Sequence, residues 1–221
     1  MNTYPGHYVR LVVKLGVLVL VLGGCRSIYY GTMETFGYHK RDLLVSRVED
    51  ARDAQQAAKD QFQSALEKFS DVTGFEGGKL EAKYNQLRAE LDASESKAKA
   101  VRKRIADVEN VAGALFDEWE SELGQYSDEN LRRSSREKLE QTRQRYSQLI
   151  GAMKRAETKM EPVLSVFRDQ VLFLKHNLNA QAIASLHDQM ISVEADITAL
   201  IREMEASIAE ANAFIGEMTG Q

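Results

Sequence analysis

Cys25 is the one thiol in this 221-residue chain, so any sulfur chemistry falls on that residue. It follows Leu22-Gly23-Gly24, and a short apolar run, Leu15 to Leu22, precedes it. Arg10 and Lys14 supply a positive flank. A basic start, a short apolar stretch and small residues before the cysteine read as a cleaved targeting segment that ends in a lipid-acceptor thiol. The stretch is about half of the roughly 20 apolar residues that a membrane-spanning helix needs. The competing reading is an uncleaved anchor from about Val9 to Leu22. On the first reading residues 1–24 are removed, Cys25 carries lipid, and the chain is a lipoprotein of a bacterial envelope, facing the periplasm. Arg26 stands where an aspartate would retain the protein at the inner membrane, so the outer membrane is favoured. With one cysteine the chain forms no internal disulfide and has no CxxC pair.

Other candidate chemistry is sparse. The four histidines are His7, His39, His176 and His187. None belongs to an HExxH or to an i,i+4 pair, so no metal site is expected. No GxSxG, glycine-rich phosphate loop or nucleophile–base spacing occurs, so neither catalytic residues nor a cofactor is expected. The basic run Lys97, Lys99, Arg102, Lys103, Arg104 has no interleaved aromatics, and a solvated helix face is expected there, with no nucleic-acid partner. The formal charge of −4 argues the same way. Tyr29, Tyr30, Phe36 and Tyr38 lie shortly after the acceptor cysteine. They suit either a membrane interface or the capping of a bundle end. Arg132, Arg133 and Arg136 fall early in a predicted helix, where the dipole disfavours cations, so nearby anionic headgroups would offset a real cost.

The elements that must position these residues are helices. Ala, Glu, Leu, Lys, Arg and Gln dominate, and the prolines are Pro5 and Pro162 alone. Apolar residues recur at alternating steps of four and three in four registers. The first is Leu44, Val48, Ala51, Gln55, Ala58, Phe62, Ala65, Phe69, Val72, interrupted only by Gln55. The second runs from Leu80 through Leu87, Leu91, Ala98, Val101, Ile105 and Val108 to Leu115 and Trp119. The third runs from Leu139 through Leu149, Met153, Met160 and Phe167 to Leu174. The fourth runs from Ile183 through Val193, Ile197, Leu200 and Met204 to Ser207, Ala211 and Phe214. A seven-residue repeat of this length imposes coiled-coil packing. Breaks are expected near residues 76, 126 and 178. Ser127 is the expected cap of the third helix, and Asn177 to Asn179 are residue types that tolerate a left-handed turn. Pro162 should kink or split the third helix. Residues 128–179 carry a net +4 and residues 180–221 a net −6, which favours pairing of the third and fourth helices.

The predicted fold is therefore all-α: an elongated antiparallel four-helix coiled-coil bundle, up-down-up-down. Residues 1–24 form the signal, 25–40 a membrane-proximal segment and 41–221 a single bundle domain. The lipid, the turn near 126 and the C-terminus share the proximal end. The turns near 76 and 178 form the distal tip, where Phe75, Glu76, Lys175, His176 and Asn177 are the expected contacts for an envelope partner.

Several strings resemble one family. They are Gly37-Tyr38-His39-Lys40-Arg41-Asp42-Leu43-Leu44-Val45 with the following Arg47 to Gln55, Ala114-Leu115-Phe116-Asp117-Glu118-Trp119-Glu120, Met160-Glu161-Pro162-Val163-Leu164, and Leu174-Lys175-His176-Asn177-Leu178-Asn179-Ala180. The resemblance is to the DUF2959 family. It implies a proteobacterial lipoprotein and no particular activity. The function expected is that of a non-enzymatic scaffold or adaptor held to the membrane through Cys25. The rivals are a membrane-remodelling helical protein and an enzyme with an unfamiliar site.

Overall fold

The computed structural model describes residues 40–73, 80–177 and 180–220, and for Thr73 and residues 180–190 the backbone alone. By its contacts the chain divides into Met1–Leu43 and Leu44–Gln221. The larger unit holds nearly all of the described residues.

Four long helices make up the described chain: α1 (Lys40–Thr73), α2 (Leu80–Glu122), α3 (Glu129–His176) and α4 (Ala180–Thr219). A short 3-10 turn, Leu123–Gln125, closes α2. At 1.5 Å per residue α3 is about 70 Å long. No strand occurs among the described residues.

Polar contacts between the helices fix their directions. Gln61 of α1 reaches Glu90 of α2 at 2.6 Å, and Asp50 meets Arg104 at 3.2 Å. Glu109 and Glu120 of α2 meet Lys154 and Arg143 of α3 at 2.5 and 2.7 Å. Arg145 and Arg155 of α3 meet Glu217 and Glu203 of α4 at 2.5 and 3.6 Å. Lys59 and Arg52 of α1 reach Glu205 and Asn212 of α4 at 3.4 and 3.2 Å. In each pair residue numbers rise on one helix as they fall on the other. The ring α1–α2–α3–α4–α1 is thus an antiparallel up-down-up-down bundle. Across its diagonal, Phe69 of α1 stacks on Phe167 of α3 with ring centroids 5.8 Å apart.

The repeat seen in the sequence is the core. Every member of the first register, Leu44 to Val72, is buried, Gln55 included. So are Val193, Ile197, Leu200, Met204, Ser207, Ala211 and Phe214 of α4. Fully buried Phe62, Leu149, Met153 and Leu200 typify the filling, and truncation of such a side chain to alanine costs about 2–5 kcal/mol. The buried face is wider than a strict heptad seam. Val111, Phe116, Ala152, Leu164 and Val171 lie in it as well, because a helix in a bundle touches two neighbours and not one.

Three local expectations change. The cap of α3 is Asp128, not Ser127: its carboxylate accepts from the backbone N–H of Asn130 at 2.7 Å and of Leu131 at 3.1 Å. An ionised acceptor forms stronger bonds to these orphan amides than a hydroxyl does. Pro162 does not split α3, which runs through it unbroken. Pro162 and Thr158 both face solvent, so the Thr158 carbonyl that Pro162 cannot serve is open to water. Asn177, the residue after α3, has φ −130° rather than a left-handed value. It closes the helix with its backbone N–H on the Leu174 and Phe173 carbonyls and its side-chain amide on Phe173 O at 3.0 Å.

Candidate functional site

The register of the helices sets what each end of the bundle presents. At the end carrying the 123–128 turn, Glu217 beside Arg145 places the last turn of α4 well short of the start of α3. About 24 Å of α3 lies before Arg145, against about 3 Å of α4 beyond Glu217. Asp50 beside Arg104 does the same for α1: α2 continues about 27 Å past that contact, and α1 from Asp50 back to Leu44 covers about 9 Å. Within the larger unit, the α2–α3 hairpin therefore overhangs its neighbours by roughly 20 Å.

The overhang is held by its own contacts. The Trp119 indole N–H donates to Ser135 Oγ at 2.9 Å. Phe116 meets Tyr146 edge to face at 5.4 Å, and the Arg143 guanidinium lies 5.5 Å over the Phe116 ring. Partial burial, with the nearby Glu109 carboxylate, pushes the Tyr146 phenol up to about 12. Leu115, Phe116, Leu123 and Leu139 are buried between the two helices.

The overhang's tip carries the three arginines singled out by sequence. Arg132 pairs with Glu129, and Arg133 donates to Asn130 Oδ1 at 2.9 Å. Arg136 is exposed and faces no carboxylate partner among the described residues. Beside them two large apolar side chains stand in solvent, Tyr126 at 39 % and Leu131 at 58 % exposure. A shallow, open depression lined by Glu122, Gln125 and Tyr126 adjoins them. Sequence reading singled out the arginines by charge, but it missed Tyr126 and Leu131.

At the opposite end, Lys175 and His176 are exposed in the last turn of α3, and Asn177 is half-buried in its capping role. Leu172, Phe173 and, on α4, Ile191 are exposed large apolar residues of that half. Phe75 and Glu76 lie outside the described residues, as do Cys25, Tyr29, Tyr30, Phe36, Tyr38, His39 and the signal.

The basic run on α2 lies at the surface, with Lys97 and Lys99 exposed, and its last three members form ion pairs. Arg102 reaches Glu161 at 2.7 Å, Lys103 reaches Asp107 at 3.2 Å, and Arg104 reaches Asp50. Arg168 continues the network, meeting Glu161 at 2.7 Å and Glu95 at 2.5 Å. Hydrogen bonds from Arg168 and Arg102 hold the Glu161 carboxyl below the usual carboxylate range. Among the described residues no group of three His, Cys, Asp or Glu could hold a metal ion, and no helix is long and apolar enough to cross a membrane.

One buried polar group stands apart. Gln55 and Ser207 are both fully buried, and Ser207 Oγ donates to Gln55 Oε1 at 2.8 Å. The Gln55 amide nitrogen has no partner. Ser94, also fully buried, satisfies its hydroxyl on the Glu90 carbonyl one turn back.

The structure thus defines a long antiparallel helical bundle with one hairpin projecting beyond it. The chain belongs to DUF2959, a family described as protein of unknown function, which matches residues 29–218. No curated protein and no solved structure matches it.

Proposed function

We propose that this protein is a lipid-anchored scaffold or adaptor of the bacterial envelope, tethered through Cys25 and facing the periplasm from the outer membrane. The observation that carries the reading is the sequence Leu22-Gly23-Gly24-Cys25 after a short apolar run, at the head of a chain whose larger unit is one elongated bundle. A rod with a helix of about 70 Å suits spacing or bridging. Several of its charged side chains form ion pairs between helices, and its interior is a continuous apolar seam broken by a few buried polar residues such as Gln55, Ser94 and Ser207. That composition supports a role in binding and not in catalysis. The end bearing Lys175, His176, Leu172, Phe173 and Ile191 offers mixed apolar and basic contacts for an envelope protein.

The test is metabolic labelling with a fatty-acid precursor followed by fractionation of the membranes. Label should follow the wild-type chain and vanish in Cys25→Ala, which should leave the membrane fraction. Unlabelled wild type would overturn the anchor. Photo-crosslinkers placed at Lys175 and His176 should then trap a discrete envelope protein in intact cells, and crosslinking spread evenly along the flank would overturn the assignment of the contact to this end.

A further inference from the structure

We infer that the overhanging α2–α3 tip is a membrane-docking foot: Tyr126 and Leu131 enter the interface of the bilayer that holds Cys25, and Arg132, Arg133 and Arg136 meet its phosphates. The inference rests on the anchor reading and adds a second contact to it.

Three observations meet at this tip. The first is geometry. The hairpin projects roughly 20 Å past α4 and past Leu44 of α1, so no other described residue of the larger unit lies ahead of it. The second is the length of chain outside the described residues. The fifteen Cα–Cα steps from Cys25 to Lys40 can span at most about 50 Å. The overhang is shorter than that reach, and it lies at the end where α1 begins. A chain tethered at Cys25 therefore allows the tip to touch the same surface. The third is chemistry. An amphipathic tyrosine and an exposed leucine beside a trio of arginines match an interface with apolar depth below and phosphate above.

Glu122, Asp128, Glu129 and Glu137 lie at the same tip, so contact with phosphates is made by individual guanidinium groups and not by net charge. The Asp128 carboxylate is occupied by two backbone amides, and Glu129 is paired with Arg132. Arg133 has only a neutral partner, and Arg136 has no carboxylate partner among the described residues. Two apolar side chains would bind a free protein weakly. Attachment at Cys25 changes that, because confinement near the surface raises the tip's effective concentration there.

The experiment places the full chain in vesicles with Cys25 lipid-linked. Mass spectrometry of the purified protein reads the native lipid. If Cys25 is unmodified, the anchor reading fails, and the sole cysteine is coupled to a maleimide lipid so that docking is still tested. In a Trp119→Phe background, Leu131→Trp reports the tip and Ile191→Trp reports the far end. In vesicles containing brominated lipid and anionic headgroups, Leu131→Trp should shift to the blue and lose about half its emission, since interfacial burial reaches 5–10 Å. Ile191→Trp should do neither. Arg132→Gln, Arg133→Gln and Arg136→Gln together should lower the quenching at Leu131→Trp at least about twofold, as expected for basic groups at an anionic surface. Equal emission from the two probes would overturn the foot, and quenching unchanged in the triple variant would overturn the role of the arginines. Unchanged circular dichroism in each variant shows that the bundle has folded.

Discussion

Ser207 and Gln55 meet in the centre of the bundle, hydroxyl to amide oxygen at 2.8 Å, 152 positions apart in sequence and with no solvent exposure. The pair ties α4 to α1. Because the amide nitrogen has no partner among the described residues, the pair is only partly satisfied, and its two halves should respond differently to mutation. Ser207→Ala removes the donor and leaves a buried acceptor orphaned, which should cost about 1–3 kcal/mol. Gln55→Leu combined with Ser207→Ala removes every polar atom and should be neutral or stabilising. Urea unfolding of the two variants and wild type measures this directly. A double variant less stable than Ser207→Ala would contradict it.

Asp128 should behave as a cap. Asp128→Ala frees two backbone N–H groups and should lower stability by about 1 kcal/mol, and Asp128→Asn by less. Ser127→Ala should change little. Thermal melts of the three variants check the order, which is the reverse of what the serine's position in the sequence suggests.

The Glu161 network makes a pH-dependent contribution. Its carboxyl is held below its unfolded value by Arg168 and Arg102, so the stabilisation is present above the ordinary carboxylate range and is lost as pH falls through the lowered folded value. All members are exposed, so each pair contributes only ~0.2–1 kcal/mol. Glu161→Gln should flatten the decline in stability below about pH 4, and high salt should erase the difference from wild type.

Tyr146 should titrate late. Its phenol is raised to about 12 by partial burial and by Glu109. A raised value means that the contribution is intact below the ordinary phenol range and is lost as pH climbs from about 10 to about 12. Tyr146→Phe should remove a step near pH 12 from the phenolate absorbance titration and extend stability in that window.

Much of the fold was legible because a buried position in a long helix repeats. Leu44 to Val72 and Val193 to Phe214 were read from period alone, and all are buried. The exceptions are physical. Leu80, Tyr84, Thr142, Tyr146 and Trp119 are only half-buried, the last three in or beside the overhang, where two helices stand instead of four. Val111, Leu164 and Val171 were missed because a heptad rule describes one seam and each helix here has two. Gln55 looked like a defect in the repeat, and its partner lies on another helix, which no local pattern discloses. The arginines of the α2–α3 tip were legible by charge, but the overhang that carries them was not. Sliding one helix past another by seven residues leaves a heptad pattern unchanged, so sequence cannot set the overhang. Specific pairs such as Arg145–Glu217 set it.

The central claim is a lipid on Cys25, and intact-mass and N-terminal peptide mass spectrometry of the protein purified from bacterial membranes tests it most directly. The purified chain should begin at Cys25, lack residues 1–24 and carry the added mass of acyl chains on that residue. A chain that retains the residues before Cys25, or whose Cys25 is an unmodified thiol, would contradict it.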